Sequence, residues 1–170
     1  MSRTTLFGEQ DIAVQVARVA REIIRHSPGV DLAVPVLTGA FVFAADLIRA
    51  LAREGLDLPV EFMSLSRYRN ARQGHGEILV RLNAGESVKG RNILLVDGVL
   101  DHGHTLDKAR ALLRDQGAAS LVIAVALDKQ RDNALLRADY AAFTGIDAFI
   151  VGYGMDDAGK GRGLPYIARA

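Results

Sequence analysis

No cysteine occurs in the chain, which excludes disulfides, thiolate metal sites and a cysteine nucleophile. The absence suits a reducing compartment. No apolar run approaches the length of a membrane span. The first residues, Met1 to Glu9, contain no apolar stretch long enough for a signal peptide. A cytoplasmic location is therefore expected. A surplus of one charge is missing as well: the formal net charge is +1, whereas a large nucleic-acid footprint shows as a clear excess of Lys and Arg. Neither nucleic acid nor a membrane is an expected partner. There are no internal repeats, low-complexity segments or linkers. The 170 residues suit one domain with one core, spanning 1–170.

The patterning that is present alternates between strand and helix. Ile12, Val16, Val19 and Ile23 repeat at helical spacing, and Ser27-Pro28-Gly29 ends the segment. Leu32 to Leu37 reads as a strand, although Pro35 weakens a central placement. Thr38-Gly39-Ala40 then reads as a turn into a helix from Phe41 to Arg53, with Phe41, Ala45, Ile48 and Ala52 on one face. Val60 to Leu65 reads as a strand and Ser66 to Gly76 as a long polar loop, a length usually tied to function. Glu77 to Leu82 forms a return strand. Asn92 to Val96 has the continuous apolar run of a strand buried on both faces. Thr105 to Gln116 reads as a helix with Gly117 as its stop. Strands follow at Leu121 to Leu127, Tyr140 to Phe143 and Phe149 to Val151, with a loop from Gly152 to Gly163. The order implies an α/β domain whose mainly parallel central sheet is flanked by helices.

The chemistry concentrates after the strand at Asn92 to Val96. Ligands of open parallel sheets bind beyond the carboxyl ends of the strands, where Asp97 and Asp101 fall. Gly98 and Gly103 are read as permitting tight turns and close ligand approach. The helix starting near Thr105 offers unpaired amides and a positive dipole end, so backbone N–H groups and the Thr105 hydroxyl suit a phosphate. An acidic start and a phosphate-gripping end match a sugar phosphate that develops positive charge at its sugar carbon. The plainer alternative is a helix N-cap with Asp101 as a solvated turn residue.

Asp97, Asp101, Gly103 and Thr105 resemble the 5-phosphoribosyl-1-pyrophosphate (PRPP) motif of type I phosphoribosyltransferases. Four flanking segments resemble the hypoxanthine-guanine branch, in its bacterial form. They are Leu37-Thr38-Gly39, Glu61 to Tyr68, Leu127-Asp128-Lys129, and Asp147 to Asp156 followed by Arg162 and Leu164-Pro165-Tyr166-Ile167. The likeness runs in order from about residue 10 to 167. It implies the type I phosphoribosyltransferase fold with a small hood, homo-oligomers (dimers or tetramers), and transfer of the phosphoribosyl group to a 6-oxopurine with magnesium. By the same resemblance, Asp101 is the general base at the purine imidazole nitrogen. Asp97 and Asp156 stand on the ribose and magnesium side. Thr38, Gly39, His102, Gly103, His104, Thr105 and Arg162 hold phosphate or pyrophosphate. Lys129 reads the exocyclic oxygen, Phe149 stacks on the base, Ile150 adds a backbone contact and Asp156 closes the purine side. Arg67 and Tyr68 belong to a lid that excludes water.

Three positions depart from that pattern. Gly98 stands where a second carboxylate is common, His102 where Thr is common, and Thr38 where a basic residue often precedes the glycine. The first and third motivate an alternative: a regulatory protein on the same fold that senses PRPP or a nucleotide. A xanthine-preferring enzyme is a further alternative. Two other motifs carry little. His102-Gly103-His104 lacks the additional ligands of a metal site. Gly154 to Gly161 nearly spells a nucleotide P-loop, but Gly161 replaces the required Ser or Thr, and Asp156 and Asp157 would repel phosphate.

Overall fold

The computed structural model describes residues 3–67 and 78–170. Its elements are β1 (Thr4–Phe7), α1 (Glu9–His26), β2 (Leu32–Leu37), α2 (Phe41–Arg53), β3 (Met63–Arg67), β4 (Ile78–Leu82), β5 (Asn92–Leu100), α3 (His104–Asp115), β6 (Ser120–Asp128), β7 (Tyr140–Thr144), β8 (Ile150–Val151) and β9 (Ile167–Arg169). Six strands form one sheet in the order β4-β3-β2-β5-β6-β7, and β1-β9-β8 form a second, small sheet. All neighbours in the large sheet are parallel except β3 and β4. The expected mainly parallel α/β architecture is therefore present, and the small sheet is the hood.

Strand alternation explains how the large sheet is covered on both faces. Ala33, Leu94, Val96, Ala124 and Ala126 pack with Val16, Val19 and Ile23 of α1 and Phe43 and Leu47 of α2. Their neighbours Leu32, Val34, Ile93, Leu95, Ile123 and Val125 pack with Leu106, Ala109 and Leu113 of α3. With side chains on both faces removed from water, β5 and β6 need apolar residues at nearly every position. Pro35 is accommodated by a gap in the pairing. Ala33 exchanges hydrogen bonds with Pro59 and Glu61, and pairing on that side resumes only at Val36–Met63. Two residues after Ala33, Pro35 faces the same side, where no ladder N–H is required.

Several sequence expectations change here. The packed face of α2 is Phe43, Ala44, Leu47, Ala50 and Leu51, not Phe41, Ala45, Ile48 and Ala52; Phe41 is 42% exposed. Asp46, Arg49 and Arg53 form a narrow polar stripe with apolar residues on both flanks, and the flank carrying Phe43, Leu47 and Leu51 buries more surface. Second, β5 does not stop at Val96. It continues to Leu100, paired with β6 as far as Leu100↔Asp128. Asp97 and Gly98 thus lie within the strand, and Gly98 is not a turn residue. Acidic and glycine residues read as a strand end because the apolar run stops there, yet hydrogen bonding continues into the cleft. The start of α3 falls at His104, one residue before the expected Thr105.

Candidate active site

Three loops converge beyond the carboxyl ends of β2, β5 and β6, the position favoured for ligands in parallel sheets. A cleft of about 330 Å³ is lined by Thr38 and Gly39 after β2, Asp97, Gly98 and Val99 of β5, Thr105 of α3, and Asp156 and Arg162 of the hood segment. Beside it, Asp101, His102, Gly103, His104 and Thr105 wrap a narrow cradle at the start of α3. Gly103 adopts φ 83, a left-handed conformation that suits glycine. A Cβ there would lie 3.3 Å from both Leu100 and Leu136. The His102 carbonyl accepts the Leu135 N–H at 3.0 Å, which ties the cradle to the segment before β7. A further cavity of about 460 Å³ lies away from these loops, between α1, α2 and residues 162–165. The first cleft, which has a helix N-terminus and acidic residues, is the chemically equipped one.

Asp97 is half-buried at the cleft floor. Burial pushes its carboxyl up to about 7, against the Gly98 N–H that pulls it down, donated to Oδ1 at 2.7 Å. A raised carboxylate pKa means that the folded chain holds a proton that the unfolded chain has already released. Stability is therefore unaffected below the ordinary value of 3.8 and declines as pH rises from there to about 7. Asp97→Asn removes the penalty. At pH 8, without divalent metal, it is expected to be about 2 kcal/mol more stable than the parent, allowing for water reaching the carboxylate. At pH 4 the two should unfold together. Urea or thermal unfolding across this range measures the difference, and a constant gap at all pH would overturn the assignment.

Asp101 sits in a different setting. Lys129 Nζ donates to its Oδ2 at 2.9 Å and Arg131 Nε to its Oδ1 at 2.6 Å. The His102 Nδ1 lies 3.2 Å from Oδ1. Partial burial raises the carboxyl, but the hydrogen bonds from Arg131 and Lys129 outweigh it and hold Asp101 below the usual carboxylate range. Lys129, with its side chain 8% exposed, lines a second cleft of about 420 Å³ with Gln130, Arg131, Asp132, Asn133 and Asp147.

Of the remaining predicted residues, Asp156 and Arg162 line the first cleft, while Phe149 and Ile150 line neither. Arg162 Nη1 donates to the Gly154 carbonyl at 2.7 Å, and Nη2 pairs with Asp156 Oδ1 at 2.6 Å. Asp156, expected on both the metal and purine sides, stands with Thr38, Gly39 and Asp97 in the first cleft. Phe149 is 57% exposed and precedes β8, so its ring is not core. Ile150 is buried in the hood sheet. Arg67 ends β3, while Tyr68 lies outside the described residues. Sequence reasoning missed Arg131 and the role of Asp147, whose Oδ1 is 2.7 Å from Arg131 Nη2. The signal was a second cation two residues after Lys129.

Among the described residues no group of three His, Asp or Glu side chains forms a metal cage. Asp97 and Asp156 nevertheless supply two carboxylates to one cleft. Such a sparse hard-oxygen set fits magnesium, which keeps several waters and is commonly shared with substrate phosphates.

Fold and cleft together are those of a phosphoribosyltransferase. The sequence profile described as phosphoribosyl transferase domain matches residues 2–158, and the chain belongs to this family. The Bacillus subtilis hypoxanthine-guanine phosphoribosyltransferase is 37% identical over 164 residues, covering 95% of this chain and 89% of the relative. The Haemophilus influenzae hypoxanthine phosphoribosyltransferase is 31% identical over 169 residues, covering 96% and 93%. The Trypanosoma cruzi hypoxanthine phosphoribosyltransferase in complex with the product IMP superposes with a TM-score of 0.87 at 28% identity, covering 99% and 93%. No helix among the described residues is long and apolar enough to cross a membrane.

Proposed function

We propose that this enzyme transfers the 5-phosphoribosyl group from PRPP to hypoxanthine, guanine or both, giving IMP or GMP and pyrophosphate. One observation carries the reading: a carboxylate, Asp101, lies between the phosphate cradle at the start of α3 and the cleft holding Lys129. In the proposed reaction the bond from the sugar carbon to pyrophosphate breaks, and its electron pair leaves with pyrophosphate. A purine imidazole nitrogen forms the new bond to that carbon, and its proton passes to Asp101. The Asp101 charge also favours the cationic sugar in the transition state.

Lys129 would exchange Asp101 for the exocyclic oxygen of the purine. An amino group there would face an ammonium with no acceptor, which disfavours adenine. Phe149, exposed just before β8, would stack on the base, with Ile150 next to it. Thr38, Gly39, His102, Gly103, His104, Thr105 and Arg162 would hold the phosphates, and Arg67 and Tyr68 would contribute to a lid. Magnesium, held by Asp97 and Asp156 with substrate oxygens, would neutralise the pyrophosphate charge. Assembly as a dimer or tetramer in the cytoplasm belongs to the same reading; work on the Trypanosoma cruzi relative concerns its oligomeric state.

The test is a panel of hypoxanthine, guanine, xanthine and adenine with PRPP and magnesium, followed by nucleotide formation. Hypoxanthine or guanine should be used at least tenfold better than adenine. Product from xanthine alone would shift the substrate assignment, and no product from any base would remove the proposal.

A further inference from the structure

The turn after β6 brings two cations to one carboxylate. Asp128 is buried and its Oδ1 accepts the Gln130 N–H at 2.7 Å. The Asp128 carbonyl accepts the Gly145 N–H at 3.0 Å, and the Lys129 N–H donates to the Leu100 carbonyl at 2.9 Å. The turn is thus fastened to the ends of both β5 and β7. Gln130, between Lys129 and Arg131, adopts φ 55, in the left-handed region. Both side chains end on Asp101, one on each oxygen.

Their attachments differ. Lys129 is a flexible point charge whose ammonium reaches Oδ2. Arg131 offers a planar fork with separate edges: Nε goes to Asp101 and Nη2 to Asp147, at 2.6 and 2.7 Å. Its backbone carbonyl accepts Arg137 Nη1 at 2.8 Å. If Lys129 turns to a purine oxygen, Asp101 loses that partner at the moment it must be aimed at the imidazole proton. Arg131 is the cation that stays.

Resting on the proposed reaction, the geometry points to Arg131, anchored by Asp147, as a positioning residue that fixes the Asp101 carboxylate while Lys129 is engaged with the base. Among the described residues, the charged and titratable groups facing Asp101 are Lys129 and Arg131 from the segment after β6 and His102 from its own loop. Asp147 stands behind Arg131. Removing Arg131 takes a hydrogen-bonded cation from a carboxylate held low by it, so the carboxylate must rise.

The experiment compares the parent with Arg131→Gln, Arg131→Lys and Asp147→Asn. In Arg131→Gln the Asp101 carboxyl, followed by carbon-13 NMR in the ligand-free protein, should titrate about one pH unit higher. The acid limb of kcat/KM should move the same way. Turnover at neutral pH should fall ~10-fold through lost orientation, with KM for PRPP within about twofold of the parent. Arg131→Lys and Asp147→Asn should fall between, because each keeps a cation near Asp101 but loses the bridge. Asp147 is 74% exposed at its side chain, so Asp147→Asn tests the bridge without disturbing the core. An unchanged Asp101 titration in Arg131→Gln overturns the inference, as does a PRPP KM that worsens as much as kcat. Absence of nucleotide from the parent overturns the proposed reaction instead. The NMR titration still decides whether Arg131 governs Asp101.

Discussion

Asp101→Asn is expected to lower turnover ~10²–10⁴-fold, the span attributed to a positioned general base, while PRPP binding changes little. The amide keeps the size of the carboxylate and one acceptor oxygen but cannot take the imidazole proton. It also places an NH₂ group among the donors that now converge on Asp101, Lys129 Nζ and Arg131 Nε. Thr38, Gly39 and Arg162, proposed to hold phosphate, line the neighbouring cleft, whose lining does not include Asp101. Steady-state kinetics and calorimetric titration with PRPP separate the two effects. A variant with parental kcat would remove Asp101 from the proton transfer. One that fails to bind PRPP would make it a phosphate-side residue.

The surroundings of Asp101 were legible in the sequence only in part. The strands around Asp101 were legible because burial on both faces demands unbroken apolar runs, as in Leu94 to Val96 and Val122 to Leu127. Helix α1 was legible because one stripe, Ile12 to Ile23, is apolar and the other polar. In α2 apolar residues flank a narrow polar stripe on both sides, so the pattern does not single out the flank of Phe43, Leu47 and Leu51 that is buried. The hood was half-legible. Its β8 carries Ile150 and Val151, but β1 and β9 are four and three residues long and pair the two ends of the chain. A local pattern of that length carries little signal, and such a pairing is invisible to any window along the sequence. In the site, Asp101 and Thr105 were found because a strand end and a helix start fix their surroundings. Arg131 was missed because its value lies in a bridge to Asp101 and Asp147, separated in sequence and joined only by the turn at Gln130.

Gly98→Asp, which restores the carboxylate common at this place in the resembling enzymes, is expected to damage the enzyme. A Cβ on residue 98 would lie 2.8 Å from the Gly39 carbonyl oxygen and 3.2 Å from its carbon. From the other side, a Cβ on Gly154 would lie 2.6 Å from the same oxygen. Gly154 also holds φ 96, a conformation that suits glycine. The Gly39 carbonyl therefore sits in a slot between two glycines, one in β5 and one in the hood, and the loop after β2 has no room to retreat from both. Adding Asp at 98 pushes that loop away by roughly half an ångström or more and sets a carboxylate against a carbonyl oxygen. Since a ~1 Å misplacement of a substrate-positioning group costs ~10²-fold, kcat/KM for PRPP should fall by that order, with most of the loss in KM. Gly98→Ala should lose less but in the same direction, since it adds the steric clash without the charge. Steady-state kinetics on both variants decide the matter. Higher activity in Gly98→Asp would mean that the missing acid limits the enzyme. The expected fall in both would mean that Gly98 is the complement of Gly39 and Gly154, so that the loss of one ribose-side acceptor and the close packing of the loop after β2 are a single structural choice.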